Sequence, residues 1–234
     1  MIKKVFDPYG ILLSEYQCNQ LNRYYELLVE WNEKINLTAI TDYEEVIWKH
    51  FLDSALLLKC SVFQQTKRNR ILDLGTGAGF PGLVLAILCP ECEFYLVDSL
   101  KKRIDFLSIV CEELQIENVQ LFHGRAEECG RRKDFRNQFD FVVSRAVAQL
   151  PVLMEYCVPF VKKDGYFVSY KGKKYNDEIK LSENACQKLN IQLEKVEEFR
   201  IEDQEERYLL FFKNLSMTDE KYPRKSGKPK KNPL

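Results

Sequence analysis

With 234 residues, 45% of them hydrophobic, and 35 basic against 35 acidic side chains, the chain is long enough for one α/β domain plus an extension of about 60 residues. No long apolar run is present, and Met1-Ile2-Lys3-Lys4 leads into Asp7, Pro8 and Gly10, so a soluble, cytoplasmic protein with no membrane partner is expected. Formal neutrality hides a division: residues 221–234 hold six cations and no acid, leaving 29 basic against 35 acidic side chains in the preceding 220.

In chain order, residues 11–34 place Leu13, Tyr16, Leu21, Tyr24, Tyr25, Leu27, Leu28 and Trp31 among polar residues, a period that predicts an amphipathic helix. The stretch Trp31-Asn32-Glu33-Lys34-Ile35-Asn36-Leu37-Thr38 is too polar for a core strand. A second helical segment is predicted over 43–59, opened by the capping-box spacing of Thr41-Asp42-Tyr43-Glu44. Residues 1–65 therefore read as a helical cap.

From Arg70 the pattern changes. Strands predicted at 70–74, 93–98, 118–122, 139–144 and 164–170 alternate with helices near 81–89, 100–115, 147–161 and 175–189, the rhythm of a doubly wound sheet. Segments 192–200 and 207–213, joined by the charged run from Glu202 to Glu206, read as an antiparallel pair. Residues 66–215 make up this domain. The basic tail, 216–234, is rich in Pro, Gly and Lys, which leaves little to bury and predicts mobility in the free protein. Eight cysteines sit mostly inside apolar segments and read as reduced, buried thiols. The single C-x-x-C, Cys89 to Cys92, lacks the second ligand pair of a zinc site, so no metal is expected.

The first strand, Ile71-Leu72-Asp73-Leu74, runs into Gly75-Thr76-Gly77-Ala78-Gly79-Phe80-Pro81-Gly82. Three alternate glycines let the chain turn tightly and let a ligand lie against bare backbone amides. Pro81 suits a first helical turn, where its missing donor is not needed. The third glycine follows the second by two residues rather than the three of the dinucleotide fingerprint, so a nucleoside without phosphates fits better than NAD. Asp98 ends the second strand, where a carboxylate accepts ribose hydroxyls or caps the helix beginning near Leu100; the two roles are compatible. Asp73, Gly75, Gly77, Gly79 and Asp98 together resemble the class I S-adenosylmethionine-dependent methyltransferases. The resemblance implies a Rossmann-like, seven-stranded, mostly parallel sheet ending in a hairpin, and S-adenosylmethionine as cofactor.

Narrower motifs follow: Trp31 to Thr38, His50-Phe51-Leu52-Asp53-Ser54, Gly75 to Gly82, Ser144-Arg145-Ala146 and Tyr222-Pro223-Arg224-Lys225. Together they resemble the RsmG family, also called glucose-inhibited division protein B. This resemblance implies methylation of a guanine N7 in 16S ribosomal RNA, with the RNA or the small ribosomal subunit as partner, and places Gly75, Phe80, Ala126, Glu127 and Arg145 at the cofactor.

The residues support that chemistry separately. Val143-Ser144-Arg145-Ala146 stands after strand four where exocyclic-amine methyltransferases carry N/D-P-P-Y/F, and no Pro-Cys offers a nucleophile for pyrimidine carbon-5. Guanine N7 has an in-plane lone pair and no proton, so methylation there needs alignment but no general base. Arg145 is expected to line the methyl-transfer centre, stacking on the base or donating to O6. A guanidinium beside a sulfonium is costly without a carboxylate, and Glu127 is the candidate for it.

Several residues carry two readings. Arg145 reads alternatively as a solvated strand-end cation. His50 and Asp53, three apart, read first as a structural pair, and Asn36 and Thr38 as caps or as neighbours of the active site. Lys171 and Arg207 read as phosphate contacts or as ordinary surface charge. The tail cations, among them Arg224, Lys225 and Lys228, read as an RNA grip or a solubilising arm. A small-molecule methyltransferase of the same fold and a non-catalytic RNA-binding assembly factor are the rival functions, and a monomer is expected.

Overall fold

The computed structural model describes residues 1–63, 68–201 and 205–234. A short helix α1 (Ile2–Phe6) precedes the predicted ones. Helix α2 (Glu15–Ile35) starts at a reciprocal capping box in which Gln17 N–H donates to Ser14 Oγ and Ser14 N–H donates to Gln17 Oε1, and it ends at Asn36 in the left-handed conformation. The second predicted helix is interrupted. It comprises α3 (Tyr43–Val46), a π-helical stretch (Ile47–Leu52), α4 (Asp53–Ala55) and a 3-10 turn (Leu56–Lys59). The cap is Asp42, whose carboxylate accepts from Glu45 N–H, rather than the expected Thr41 box.

The alternating half folds as β1 (Arg70–Leu74), α5 (Gly82–Leu88), β2 (Glu93–Asp98), α6 (Lys101–Glu113), β3 (Val119–His123), α7 (Ala126–Cys129), β4 (Phe139–Arg145), α8 (Leu150–Cys157) and β5 (Val161–Lys171). Helices α9 (Tyr175–Leu181) and α10 (Glu183–Leu189) follow, then β6 (Ile191–Ile201), β7 (Glu205–Asn214) and a terminal turn α11 (Lys228–Lys231). The strands form one seven-stranded sheet in the order β3-β2-β1-β4-β5-β7-β6, parallel except where β7 inserts antiparallel between β5 and β6. Strands are added outward in one direction from β1 to β3 and in the other from β4 onward, so a crevice opens beyond the carboxyl ends of the parallel neighbours β1 and β4, the place where open α/β sheets take ligands. The last pair agrees with the predicted hairpin; residues 202–204 of its connection lie outside the described residues.

Two apolar cores sandwich the sheet. On one face Phe6, Tyr24, Phe51, Leu83 and Phe106 pack together, so the N-terminal helices share a core with the sheet rather than forming a separate body. On the other face Leu153, Phe160, Phe167 and Phe212 pack with Tyr222 and Leu234. That second core corrects the expectation of a mobile tail. Composition counted the tail's cations but not the positions between them: Tyr222, Pro223, Pro229 and Leu234 are buried, and the chain following β7 is anchored through them. Helix α8 starts later than predicted because residues 146–149 leave β4 irregularly, with Ala146 at φ 57°. The predicted 175–189 helix breaks at Ser182, whose hydroxyl donates back to Glu178 C=O.

Candidate active site

Gly75, Gly77 and Gly79 all adopt left-handed φ, at 74°, 62° and 104°. Space enforces two of them: a Cβ on Gly75 would lie 2.4 Å from Val147 Cγ2, and one on Gly79 2.4 Å from the Tyr24 hydroxyl oxygen. Tyr24, fully buried on α2, donates to Ala78 C=O and stacks on Phe80 and Phe51, tying the helical layer to the loop. Inside the loop Asp73 Oδ2 accepts from the Thr76 hydroxyl (2.7 Å) and from Gly82 N–H (2.8 Å). Burial pushes its carboxyl up to about 6, against the pull of those two bonds. Helix α5 begins at Gly82, with Pro81 one position before it.

A cavity of about 300 Å³ lies beside this loop, walled by Gly75, Asp98, Ala126, Glu127, Val147 and Tyr156. Asp98 Oδ2 accepts from Gly77 N–H at 2.9 Å and from Arg103 at 3.2 Å, and Oδ1 accepts from Leu100 N–H at 2.9 Å. The carboxylate lines the cavity, but it is not the expected N-cap: that position is Leu100, whose own N–H Asp98 holds just ahead of α6. With three of its roughly four acceptor positions used, one is left for a ligand hydroxyl, and a second requires the half-buried Arg103 to move aside. The expected bare amides are not found: those of Gly75, Gly77 and Gly79 donate to Val97 C=O, Asp98 and Thr76 C=O, so the strand-end carboxylate and this volume are what fit a nucleoside.

A second cavity, about 760 Å³, is lined by Lys49, His50, Asp53, Arg145, Lys171 and Arg207. Val147 borders both cavities. Arg145 donates to Asp53 Oδ2 at 2.5 Å and to Lys49 C=O at 3.1 Å, with its guanidinium 5.2 Å from the Phe80 ring centroid. Arg207 Nε lies 3.1 Å from Asp53 Oδ1, an ion-pair distance without hydrogen-bond alignment. His50 stacks on Phe80 and bonds Thr38 Oγ1 through Nε2 at 2.8 Å. Burial, then the charge of Arg145, lowers its pKa to about 4, so the imidazole is neutral at pH 7.

The structure therefore brings part of the expected set together. Gly75, Asp98, Ala126 and Glu127 wall the first cavity, Gly77 reaches it through Asp98, and Gly79 and Phe80 lie behind the loop against Tyr24. Arg145 lies at the second cavity, and its carboxylate is Asp53, not Glu127, which accepts from Gly227 N–H in the tail. His50 and Asp53 do not pair with each other; one bonds Thr38 and the other Arg145. Asn36 caps α2, whereas Thr38 holds His50 and accepts from Ile40 N–H. Lys171 and Arg207 line the second cavity but are ion-paired, with Glu178 and with Asp53 and Glu205. Arg224 is likewise committed inward, to the fully buried Glu155, and so fits neither the RNA grip nor the solubilising arm expected of the tail cations. Lys225 and Lys228 are exposed. All eight cysteines are free thiols. Among the described residues no helix is long and apolar enough to cross a membrane, and no three His, Cys, Asp or Glu cluster for a metal.

Comparison with known proteins agrees with this architecture. A "SAM dependent methyltransferase" of Aquifex aeolicus superposes with a TM-score of 0.55 at 16% identity, over 73% of this chain and 93% of that one. TYW2 of M. jannaschii, solved in complex with AdoMet, gives 0.55 at 14% identity over 71% and 76%. These likenesses concern the fold. At the sequence level, the ribosomal RNA small subunit methyltransferase G of Lachnoclostridium phytofermentans is 49% identical over 96% of this chain and 93% of its own length. That of Lactococcus lactis subsp. lactis is 45% identical over 97% and 94%. Residues 17–208 match the family GidB, described as rRNA small subunit methyltransferase G. With the glycine loop, the Asp98 carboxylate and the His50–Asp53–Arg145 group all inside the matched span, the chain belongs to that family.

Proposed function

We propose that this protein transfers a methyl group from S-adenosylmethionine to N7 of a guanine in 16S ribosomal RNA. The observation that carries the reading is the junction at Val147, which stands over Gly75 and borders both the nucleoside-sized cavity and the larger one containing Arg145 and Asp53. Gly75, Asp98, Ala126 and Glu127 would hold the cofactor. Bound there, it supplies an electrophilic methyl on a sulfonium.

The second cavity suits guanine. Arg145 is a donor and Asp53 Oδ1 a buried acceptor receiving no hydrogen bond from the described residues, and the two groups are adjacent. On guanine the O6 acceptor and N1–H donor are also adjacent, with N7 next to O6 on the other side. Adenine offers the opposite pattern along that edge. Because N7 bears no proton, the reaction asks these residues for orientation and not for a base. The methylated ring gains positive charge, and the nearby carboxylate is Asp53, whose charge is already shared by Arg145 and Arg207. Neutral His50 adds no further cation to the site. The enzyme is proposed to work in the cytoplasm, since its RNA substrate is intracellular.

The test is incubation with labelled S-adenosylmethionine and small-subunit RNA, followed by mapping of the modified nucleotide. Label on guanine N7 is expected. Label on another atom overturns the substrate assignment, and no transfer to naked RNA or to small subunits overturns the enzymatic one.

A further inference from the structure

We propose that the C-terminal segment closes the cofactor cavity, making Ser226, Gly227 and Lys230 part of the binding site; this rests on the reading of that cavity as the S-adenosylmethionine site. Ser226, Gly227 and Lys230 line it alongside Gly124 to Glu127. The contacts are specific. Gly227 N–H donates to Glu127 Oε1 at 3.2 Å, and the Arg125 guanidinium donates to Ser226 Oγ at 3.2 Å. The tail thus bonds the two residues flanking Ala126, at the start of α7.

A segment with six cations would be expected to stay in water, but this one is clamped just before it reaches the cavity. Arg224 Nε donates to both oxygens of Glu155, at 2.8 and 3.0 Å, and Nη2 donates to Oε2 at 2.5 Å; Arg224 N–H adds a further bond to Oε1 at 2.8 Å. Tail carbonyls are held from the body as well: Arg131 donates to Pro223 C=O at 2.6 Å, and Arg136 to Tyr222 C=O and Thr218 C=O at 2.7 Å each. Beyond this anchor the chain turns through Gly227, in the left-handed region at φ 79°, which places its amide on Glu127. An arm serving only to grip RNA would have no need to satisfy a carboxylate in the cavity wall. Lys225 and Lys228, exposed on the same segment, remain available to an external phosphate.

A ligand enclosed by the segment must stabilise its docked state, and the docked state must raise the ligand's affinity by the same factor. Calorimetry with S-adenosylhomocysteine, without RNA, on the full chain, on Arg224→Ala and on a chain ending at Met217 tests this. Both variants are expected to bind at least about tenfold more weakly, a difference of about 1.4 kcal/mol, while Lys231→Ala binds like the full chain. Hydrogen exchange of the amides of 222–231 in the unaltered chain provides a second readout that does not depend on the variants folding, and the ligand is expected to slow it. Absence of binding by the full chain overturns the cofactor reading itself. Binding by the full chain with unchanged affinity in folded variants, or unchanged exchange across 222–231, overturns the role of the tail alone.

Discussion

Two buried arginine–carboxylate pairs, Arg145 with Asp53 and Arg224 with Glu155, have the same 2.5 Å closest approach and the same 15% side-chain exposure of the arginine. Their surroundings separate them. Asp53 lines an open cavity, is shared with Arg207, and has one oxygen that receives no hydrogen bond from the described residues. Glu155 is sealed, with both oxygens accepting from one guanidinium and its backbone amide. An incompletely satisfied charge pair can exchange partners with a substrate, whereas a saturated one can only hold segments together. Sequence distance is no guide, since Asp53 and Arg145 are 92 residues apart and Glu155 and Arg224 are 69.

The contrast can be broken experimentally. Glu155→Ala leaves Arg224 buried without its partner and is expected to cost about 3–5 kcal/mol in urea unfolding, while replacing both residues by Met restores most of it. A double variant no more stable than the single would show that the pair does not anchor the tail. Arg145→Ala is expected to fold but to lose about 10²–10³ in kcat/KM, the usual effect of deleting one aligned donor; a loss of less than about tenfold would remove Arg145 from the methyl-transfer centre.

The open pair also influences its neighbours' titration. His50, held near 4, binds protons more weakly folded than unfolded, so its contribution is complete above about pH 6.5 and is lost as pH falls toward 4. Asp73, raised to about 6, has the opposite sign: its contribution is complete below about pH 3.8 and is lost as pH rises toward 6. Each amounts to about 3 kcal/mol, so the two nearly cancel between pH 4 and 6. Asp73→Asn should therefore make stability rise with pH across that interval, and His50→Gln should make it fall; parallel curves for both variants would contradict the assignment. Arg145→Ala should narrow the His50 interval, and Arg224→Ala should leave it unchanged.

Smaller effects are expected at the loop and the tail surface. Gly75→Ala combines left-handed strain with a collision at Val147 and should weaken S-adenosylhomocysteine binding about tenfold, with partial recovery in combination with Val147→Ala. Replacing exposed Lys225 and Lys228 together by Ala should flatten the salt dependence of RNA binding by at most about 0.7 per cation.

Much of the scaffold was legible because its signals are local. The apolar runs ending at Leu74 and Asp98 have strand length, and alternate glycines define a turn whatever surrounds them. The hairpin followed from two strand-like runs with a short connection. The paired groups are less legible: Arg145 stands out at a strand end, but the carboxylate the sequence suggests for it is Glu127, which also follows a strand, and only the tertiary fold brings Asp53, the first residue of α4, to the end of β4. Glu155 did leave a trace, as the one charged residue in Leu150-Pro151-Val152-Leu153-Met154-Glu155-Tyr156-Cys157. A carboxylate in so apolar a helix requires a cation, and that requirement could have directed attention to the tail.

By itself the sequence determined the alternation of strands and helices, the glycine turn that opens a nucleoside-sized cavity, and the acid at the end of β2, since each depends on side-chain period or backbone freedom within about ten residues. Tertiary structure alone decided that Asp53 neutralises Arg145, that Tyr24 supports the loop from another layer, and that a tail rich in cations docks against Glu155 and Glu127. Burial changes what a charge requires: in water Arg224 is one cation of six, but beside a carboxylate from which solvent is excluded it becomes an anchor.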